Sequence, residues 1–296
     1  MCKGILLWLI CLASMRADEG RIVVATYNVR NYLSMDRRVE GKFRSDYPKP
    51  ESEKQVVRES IRQVAPDILT LQEIGDNRYL EELRSDLGRE GLNYERSALL
   101  EASDENRRVA ALWREGLAVE VVEHADLKIK YFGGVEAVKR GMLELRVGEK
   151  GEQWSLFVLH LKSKYTDNKA DFQSAKRRAL EARAARDRIL EIYPDPASAR
   201  FLVLGDMNDT PNTSPFRAFE KRGSKRIAEA VPCFDDTGHT WTHFYKKEDT
   251  YSRVDLIFRS VGWTALENLE GAILSRRDFY EGSDHRLVWV AFESAQ

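Results

Sequence analysis

Phe201-Leu202-Val203-Leu204-Gly205-Asp206-Met207-Asn208-Asp209 is the stretch on which the reading of this chain turns. Four apolar residues of strand character run into a glycine and then into three polar side chains within four positions. Taken alone, a Gly-Asp-x-Asn segment is an Asx-turn that closes a strand. The same arrangement recurs along the chain. Residues 22–27 lead into Asn28, residues 68–72 into Glu73 and residues 156–159 into His160, while Asp284-His285 precede the apolar run 287–292. Buried strands ordinarily close in Gly, Pro, Asn, Asp or Ser because these turn the backbone, and Glu73, His160 and the Asp284-His285 pair are poor turn formers. Five such coincidences predict one shared, chemically active sheet edge.

The order of elements agrees. Helical patterns cover residues 53–64, where Val57, Ile61 and Val64 share a face, and residues 79–90, closed by Gly91. A long one covers residues 171–193 and stops before Pro194; a short one has Ser214 as N-cap, Pro215 in its first turn and its end at Gly223. Strands at residues 109–113, 118–124, 142–147 and 154–161 follow one another without a helix, as in an antiparallel meander, and residues 250–258 precede 287–292 in the same way. In an antiparallel pair one strand begins beside its neighbour's end. Asp284-His285 before one strand therefore reach Asn28, Glu73 and Asp206 after others. With no linker, repeat or low-complexity stretch, the pattern predicts one domain over residues 21–294.

Composition narrows the function classes. Lys+Arg (47) nearly balance Asp+Glu (48) over 296 residues, so no global basic field holds the chain on nucleic acid or membrane, and an anionic substrate must be gripped locally. Charged residues at 32% and hydrophobic ones at 43% are those of a globular protein, for which a monomer is expected. Residues 1–17 read as a signal peptide: Lys3 is the positive end, residues 4–13 the apolar run and Ala17 the small residue near cleavage. The run is too short to span a bilayer, so the expected location is exported, periplasmic or secreted. Cys2 and Cys11 leave with that segment, and the remaining Cys233 cannot form an internal disulfide. No Cys/His spacing suggests structural zinc.

Asn28, Glu73 and Asp284 are oxygen donors of the kind a hard cation takes; Mg²⁺ uses few protein carboxylates and leaves positions for phosphate oxygens. Asp206 is placed to deprotonate or orient a water, and the Asn208 amide to donate to a phosphate oxygen. Asp255 lies in the otherwise apolar run 252–258, where an unpaired carboxylate is costly; His285 is the expected partner. Alternation puts His160 and Lys162 on one side of a strand, able to neutralise a phosphate, with Arg140 as a further phosphate contact. The simpler readings are a turn at Asn28, a strand-end charge at Glu73, a core histidine at His160 and an arginine partner for Asp255. Lys176, Arg177, Arg178, Arg183, Arg186 and Arg188 read as a solvated helix face.

Taken in order, Tyr27-Asn28-Val29, Leu71-Gln72-Glu73, His160-Leu161-Lys162-Ser163, Gly205-Asp206-Met207-Asn208-Asp209, Arg253-Val254-Asp255 and Ser283-Asp284-His285 resemble the endonuclease/exonuclease/phosphatase superfamily, the DNase I-like hydrolases. The resemblance implies an α/β fold, a four-layer α-β-β-α sandwich of two packed mixed, largely antiparallel sheets with outer helices. It also implies Mg²⁺- or Mn²⁺-dependent attack of water on a phosphoester, with Glu73 as main metal ligand supported by Asn28 and Asp284. His285 with Asp255 would be the acid-base dyad, His160 would act on phosphate or leaving group, and Asp206 with Asn208 would orient nucleophile and phosphate. Departures are also visible. The nucleases carry a Glu supporting the His160 equivalent where this chain reads Asn106-Arg107-Arg108, with Glu105 the nearest substitute. Apurinic endonucleases carry an Asp where this chain has Arg30 and a Trp where it has Ser252, which argues against base-excision repair. Nucleic acid is the first expected substrate; a lipid-headgroup phosphodiesterase and a sugar or inositol phosphate phosphatase are the alternatives within the fold. A non-enzymatic binding protein would have lost Glu73, Asp206 or His285, and all three are present.

Overall fold

The computed structural model describes residues 21–150, 152–263 and 269–293. The segment read as a signal peptide lies outside them. Twelve strands make two sheets: β1 (Arg21–Tyr32), β2 (Ile68–Ile74), β3 (Arg96–Leu100), β4 (Arg108–Trp113), β5 (Val119–His124), β6 (Met142–Val147), β7 (Trp154–His160), β8 (Phe201–Asp206), β9 (Ala228–Ala230), β10 (Asp255–Ser260), β11 (Glu270–Ile273) and β12 (Val288–Glu293). The first sheet has the order β11-β12-β1-β2-β4-β3 and the second β9-β10-β8-β7-β6-β5. Each contains one parallel pair at its centre, β1 with β2 and β7 with β8, and antiparallel pairs on either side.

Side-chain alternation explains the layers. In β7, Leu156 and Val158 join a core that also holds Val24, Ile68, Val109, Val288 and Val290 of the first sheet, which is the layer between the sheets. Their neighbours Phe157 and Leu159 face the other way, onto α3 (Ala175–Ile192) and α4 (Ser214–Glu220) through Ala182, Ala185, Ile189, Phe216 and Phe219. Ala25, Tyr27, Leu69 and Leu71 likewise pack on α1 (Glu51–Val64) and α2 (Asn77–Arg89) through Val57, Ile61, Leu80, Leu83 and Leu87. The expected four layers are present. Strands buried on both faces read as continuous apolar runs, which is why these were legible.

Several local expectations are corrected. The long helix starts at Ala175, after a separate 3-10 turn Phe172–Ser174, because Gln173 and Ser174 take left-handed backbone angles that break the pattern. Thr213, not Ser214, caps the short helix, which ends at Glu220. Residues 250–258 are two strands: Thr250–Ser252 belongs to a small hairpin with His243–Tyr245, and β10 begins at Asp255. The loop before Asp284 contains the one-turn helix α5 (Phe279–Gly282), packed on α1. Arg177 and Arg178 are buried rather than solvated, paired with Glu181 and Asp209. Among the described residues no helix is long and apolar enough to cross a membrane.

Candidate active site

The carboxyl ends of both parallel pairs meet, Asn28 of β1 being hydrogen-bonded to Asp206 at the end of β8. In the second sheet the ladder runs regularly to its end: His160 is the register partner of Asp206, and Asp206 the partner of Asp255 across the antiparallel neighbour. Close approach of β7 and β8 requires Gly205, whose φ is +132° and where a Cβ would lie 2.0 Å from the Leu159 carbonyl oxygen. Asp206 is the hub. Its Oδ2 accepts from the side-chain amides of Asn28 (3.0 Å) and Asn208 (3.1 Å), and its Oδ1 from the Asn208 backbone N–H (2.8 Å). His160 Nε2 stands 3.6 Å and His285 Nε2 3.9 Å from Asp206 Oδ2. On the other side of its ring, His285 Nδ1 is 2.8 Å from Asp255 Oδ2, so the partner expected for Asp255 is the one it has.

The first sheet ends irregularly. Asn28 of β1 is level with Gln72 of β2, after which the register shifts on both sides of β2. Arg30, Asn31 and Glu73 all adopt positive φ (44°, 51° and 62°). Bulges of this kind re-aim side chains, and each left-handed non-glycine residue costs about 1–3 kcal/mol unless its surroundings hold it. Here they do. Lys49 donates to the Arg30 carbonyl (3.0 Å), Arg37 to the Asn31 and Leu33 carbonyls, and Arg107 Nε to Asn31 Oδ1 (2.8 Å). The bulge in turn presents its backbone N–H groups to the site, Asn31 to Glu73 Oε2 (2.9 Å) and Arg30 to Asn28 Oδ1 (3.0 Å). Ser283 fastens the last segment: its hydroxyl donates to the Asn28 carbonyl (2.7 Å) and accepts from the His285 N–H (3.1 Å). The next residue, Asp284, lies 3.6 Å from Arg30 Nε.

The matching family model is Endonuclease/Exonuclease/phosphatase family, over residues 25–285, and it takes in every residue of the site just described. The chain belongs to that family. Its members hydrolyse phosphoesters. Among curated proteins no sequence matches. Solved structures similar to it include the human Nocturnin catalytic domain with bound sulfate anion (18% identity, 93% of this chain and 95% of that one, TM-score 0.60). Others are an endonuclease/exonuclease/phosphatase family protein from Bacteroides thetaiotaomicron (17%, 93% and 98%, 0.62) and a beta toxin 275-280 from Staphylococcus aureus (16%, 93% and 100%, 0.64). At these identities the likeness is one of fold.

Within this family fold the electrostatics of the buried groups are distinctive. Burial disfavours the His285 cation, yet the Asp255 and Asp206 carboxylates outweigh it and push His285 up to about 10. Burial raises Asp206, and the Asp255 carboxylate adds to this, against the lowering effect of His285. His160 goes the other way: burial first, then the Arg140, His285, Arg107 and Lys162 cations, hold it well below its usual value. Its Nδ1 has no partner among the described residues, and Glu105 is exposed. The carboxylate that supports this histidine in the resembling nucleases is therefore absent, and arginines stand around it instead.

Other expected residues are placed differently from the sequence reading. Strand β7 ends at His160, so Lys162 is not on its face; the ammonium turns to the Ser163 and Tyr165 carbonyls. Both Asn208 amide hydrogens are taken, by Asp206 Oδ2 and the Leu161 carbonyl, which makes Asn208 a brace for Asp206 rather than a free donor. Arg140 is buried beside Asp104 (2.8 Å), not aligned with it for a hydrogen bond, and its Nη1 has no partner among the described residues. His243 was missed. Its Nε2 is 3.9 Å from Asp284 Oδ2 and its ring centroid 4.6 Å from that of His285. The signal was there: charged residues 246–249 between aromatic runs are a hairpin turn, and pairing that hairpin would have placed His243 beside its neighbours.

A divalent cation fits the donor set. Among the described residues Glu73 keeps one carboxylate oxygen without a hydrogen-bond partner, the Asp284 carboxylate meets only Arg30 and His243, at 3.6 and 3.9 Å, and the side-chain Oδ1 of Asn28 faces the same bulge. His243, Asp284 and His285 form one group of three whose ligand atoms lie within 4.8 Å of one another, and Asp206, Asp255 and His285 another. Glu73 belongs to neither group.

Proposed function

We propose that this protein is an exported, divalent-metal-dependent phosphodiesterase, with nucleic acid as its first substrate class and Mg²⁺ or Mn²⁺ as its metal. The observation that carries the reading is the Asp255–His285–Asp206 array, which joins an acid-base pair to a buried carboxylate and, through Asn28, to the oxygen donors of the first sheet. Glu73, with Asn28 and Asp284, would hold the cation, which supplies neutralisation of the phosphate oxygens and a lowered barrier to attack by water.

The remaining roles belong to the side chains. Asp255 fixes the His285 ring with Nε2 toward the cleft and keeps a proton on it, so His285 can pass that proton to or from an oxygen of the reacting ester. Asp206, braced by Asn28 and Asn208, orients the attacking water. His160, neutral and beside Arg140, contributes a hydrogen bond to the phosphate while the arginine contributes charge. Lys162 adds charge at the rim.

The test is hydrolysis of bis-p-nitrophenyl phosphate and plasmid DNA by the purified protein with Mg²⁺, Mn²⁺ or EDTA. Activity should vanish in EDTA and fall at least about 10³-fold in Glu73→Gln, the order expected for loss of a metal's electrostatic contribution. Turnover that survives either change overturns the reading.

A further inference from the structure

Beyond the hydrolytic centre lies a preformed surface whose composition matches one kind of ligand. Residues 162–174 leave β7 at His160 and return at the start of α3. Buried Arg178 ties the two ends of this loop together, donating to the Lys162 carbonyl (3.2 Å) and the Gln173 carbonyl (2.9 Å) while pairing with Asp209. Lys162 N–H is held by Glu181 (2.8 Å), and Asn168 and Asp171 bind the Tyr131 hydroxyl, which locks the loop to the hairpin Lys128–Tyr131/Gly134–Ala137. On this braced frame large aromatic groups point outward: Tyr165 is 75% and Phe172 79% exposed, and Phe132, in the turn of the hairpin, is 49% exposed.

Cations are interleaved with the rings. Lys176 Nζ lies 4.0 Å from the Phe132 ring centre and Lys162 Nζ 6.0 Å from that of Tyr165. Lys162 is half-buried, and burial, then the Arg140 and Lys139 charges, hold it down to about 8, so these cations feel one another. The nearby carboxylates are engaged: Asp171 with Tyr131 and the first α3 N–H groups, Asp167 with the Tyr165 hydroxyl, Glu181 with Arg177 and Glu136 with Arg177. Arg140, whose buried Nη1 has no hydrogen-bond partner among the described residues, adds its charge beside His160. Open aromatic faces beside a cationic track that leads into a hydrolytic cleft are what a single-stranded polynucleotide requires, since unpaired bases stack on the rings while phosphates follow the charges.

We propose that Tyr165, Phe172 and Phe132, with Lys139, Lys162 and Lys176, form a stacking platform for the single strand that continues from the phosphate bound at Arg140 and His160. This rests on the phosphodiesterase reading and names its substrate as single-stranded nucleic acid. Duplex is disfavoured because its bases have no free faces for the rings. An anionic lipid surface is disfavoured because Tyr165 and Phe172 are separated by the polar residues Thr166, Asp167, Asn168 and Lys169, which insertion would drag out of water.

The experiment measures binding of fluorescein-labelled dT12, rU12 and a 12-base-pair duplex by anisotropy, in a Glu73→Gln background that does not consume them. The platform predicts tighter binding of both single strands than of the duplex. It also predicts a rise in Kd of about tenfold or more for the single strands in the Tyr165→Ala/Phe172→Ala double variant. Because both rings are exposed, the thermal midpoint should not move. Equal binding of duplex, a Kd change below twofold, or adsorption to phosphatidylglycerol vesicles that falls in the same double variant overturns the proposal. The two readings fail separately. Binding of dT12 with no phosphodiester hydrolysis by the wild-type protein sinks the activity and leaves the platform. Hydrolysis of bis-p-nitrophenyl phosphate with unaltered dT12 binding in the double variant does the reverse.

Discussion

Each sheet delivers the ends of one parallel strand pair to the cleft, and the two ends are built by opposite means. At the β7/β8 end the ladder stays in register through its last residues, and His160, Asp206 and Asp255 are placed by alternation alone. At the β1/β2 end the register breaks after Asn28 and Gln72, and three non-glycine residues sit at positive φ. The regular end buries its groups almost completely, which suits proton handling, because burial and neighbouring charges shift Asp206 and His285 far from their ordinary values. The irregular end leaves Glu73 and Asp284 partly exposed with carboxylate oxygens to spare. A metal that must exchange water and meet a substrate needs that openness.

The largest effect should come from the regular end. Asp255→Asn keeps the shape of the β8/β10 pair but removes the charge that holds the proton on His285 and fixes which ring nitrogen carries it. By analogy with the carboxylate of a catalytic triad, kcat on bis-p-nitrophenyl phosphate should fall about 10³- to 10⁴-fold with KM little changed. A loss below tenfold would mean that the buried array is structural and that the irregular end alone performs the reaction.

The same contrast decides what the sequence could reveal. Continuous apolar runs made β1, β2, β7, β8 and β12 legible, and because alternation is rigid, the polar residues at their ends could be assigned to one edge without coordinates. Asp255 was legible for a related reason, as a charge in an apolar strand that had to find His285. The bulge was not. Asn31 tolerates left-handed backbone, but Arg30 and Glu73 do not favour it, and the conformation is held by Lys49, Arg37 and Arg107, contacts that the local sequence does not announce. His243 was hidden because its hairpin is only three residues long on each side, too short to set up a periodic pattern. Lys162 was misplaced because alternation was carried past the end of β7.

Lys49 sharpens the comparison from the other end. It is fully buried under the bulge, 3.3 Å from Glu53, and burial pulls its pKa from 10.5 down to about 8. Below pH 8 the amine is charged in both folded and unfolded chains and the cost of burying it is constant. Between pH 8 and 10.5 the unfolded chain binds more proton than the folded one, so this group makes stability rise with pH by about 3 kcal/mol. In Lys49→Met that increment should disappear from urea unfolding curves taken across the window. Activity should fall about tenfold as the bulge relaxes and Glu73 loses its fixed Asn31 partner, the scale of a displaced supporting group. An unchanged pH slope would show that the bulge stands without its buried cation.

Ser283 should give the smallest effect, because it joins the two ends without belonging to the chemistry of either. One hydroxyl oxygen donates to the Asn28 carbonyl and accepts from the His285 N–H, so a single atom extends the β1/β12 ladder up to Asn28 and the segment that carries His285. Ser283→Ala leaves that buried N–H unpaired and should cost about 1–3 kcal/mol in chemical denaturation. His285 retains Asp255, and Asn28 retains Asp206, so the dyad and the direct bridge between the two sheets both persist. The loss in kcat should therefore be only a few-fold, and Ser283→Thr, which restores the oxygen, should recover part of it. A loss above a hundredfold at unchanged stability would mean that the hydroxyl meets the substrate itself, and the division of the site into two independently built ends would have to be abandoned.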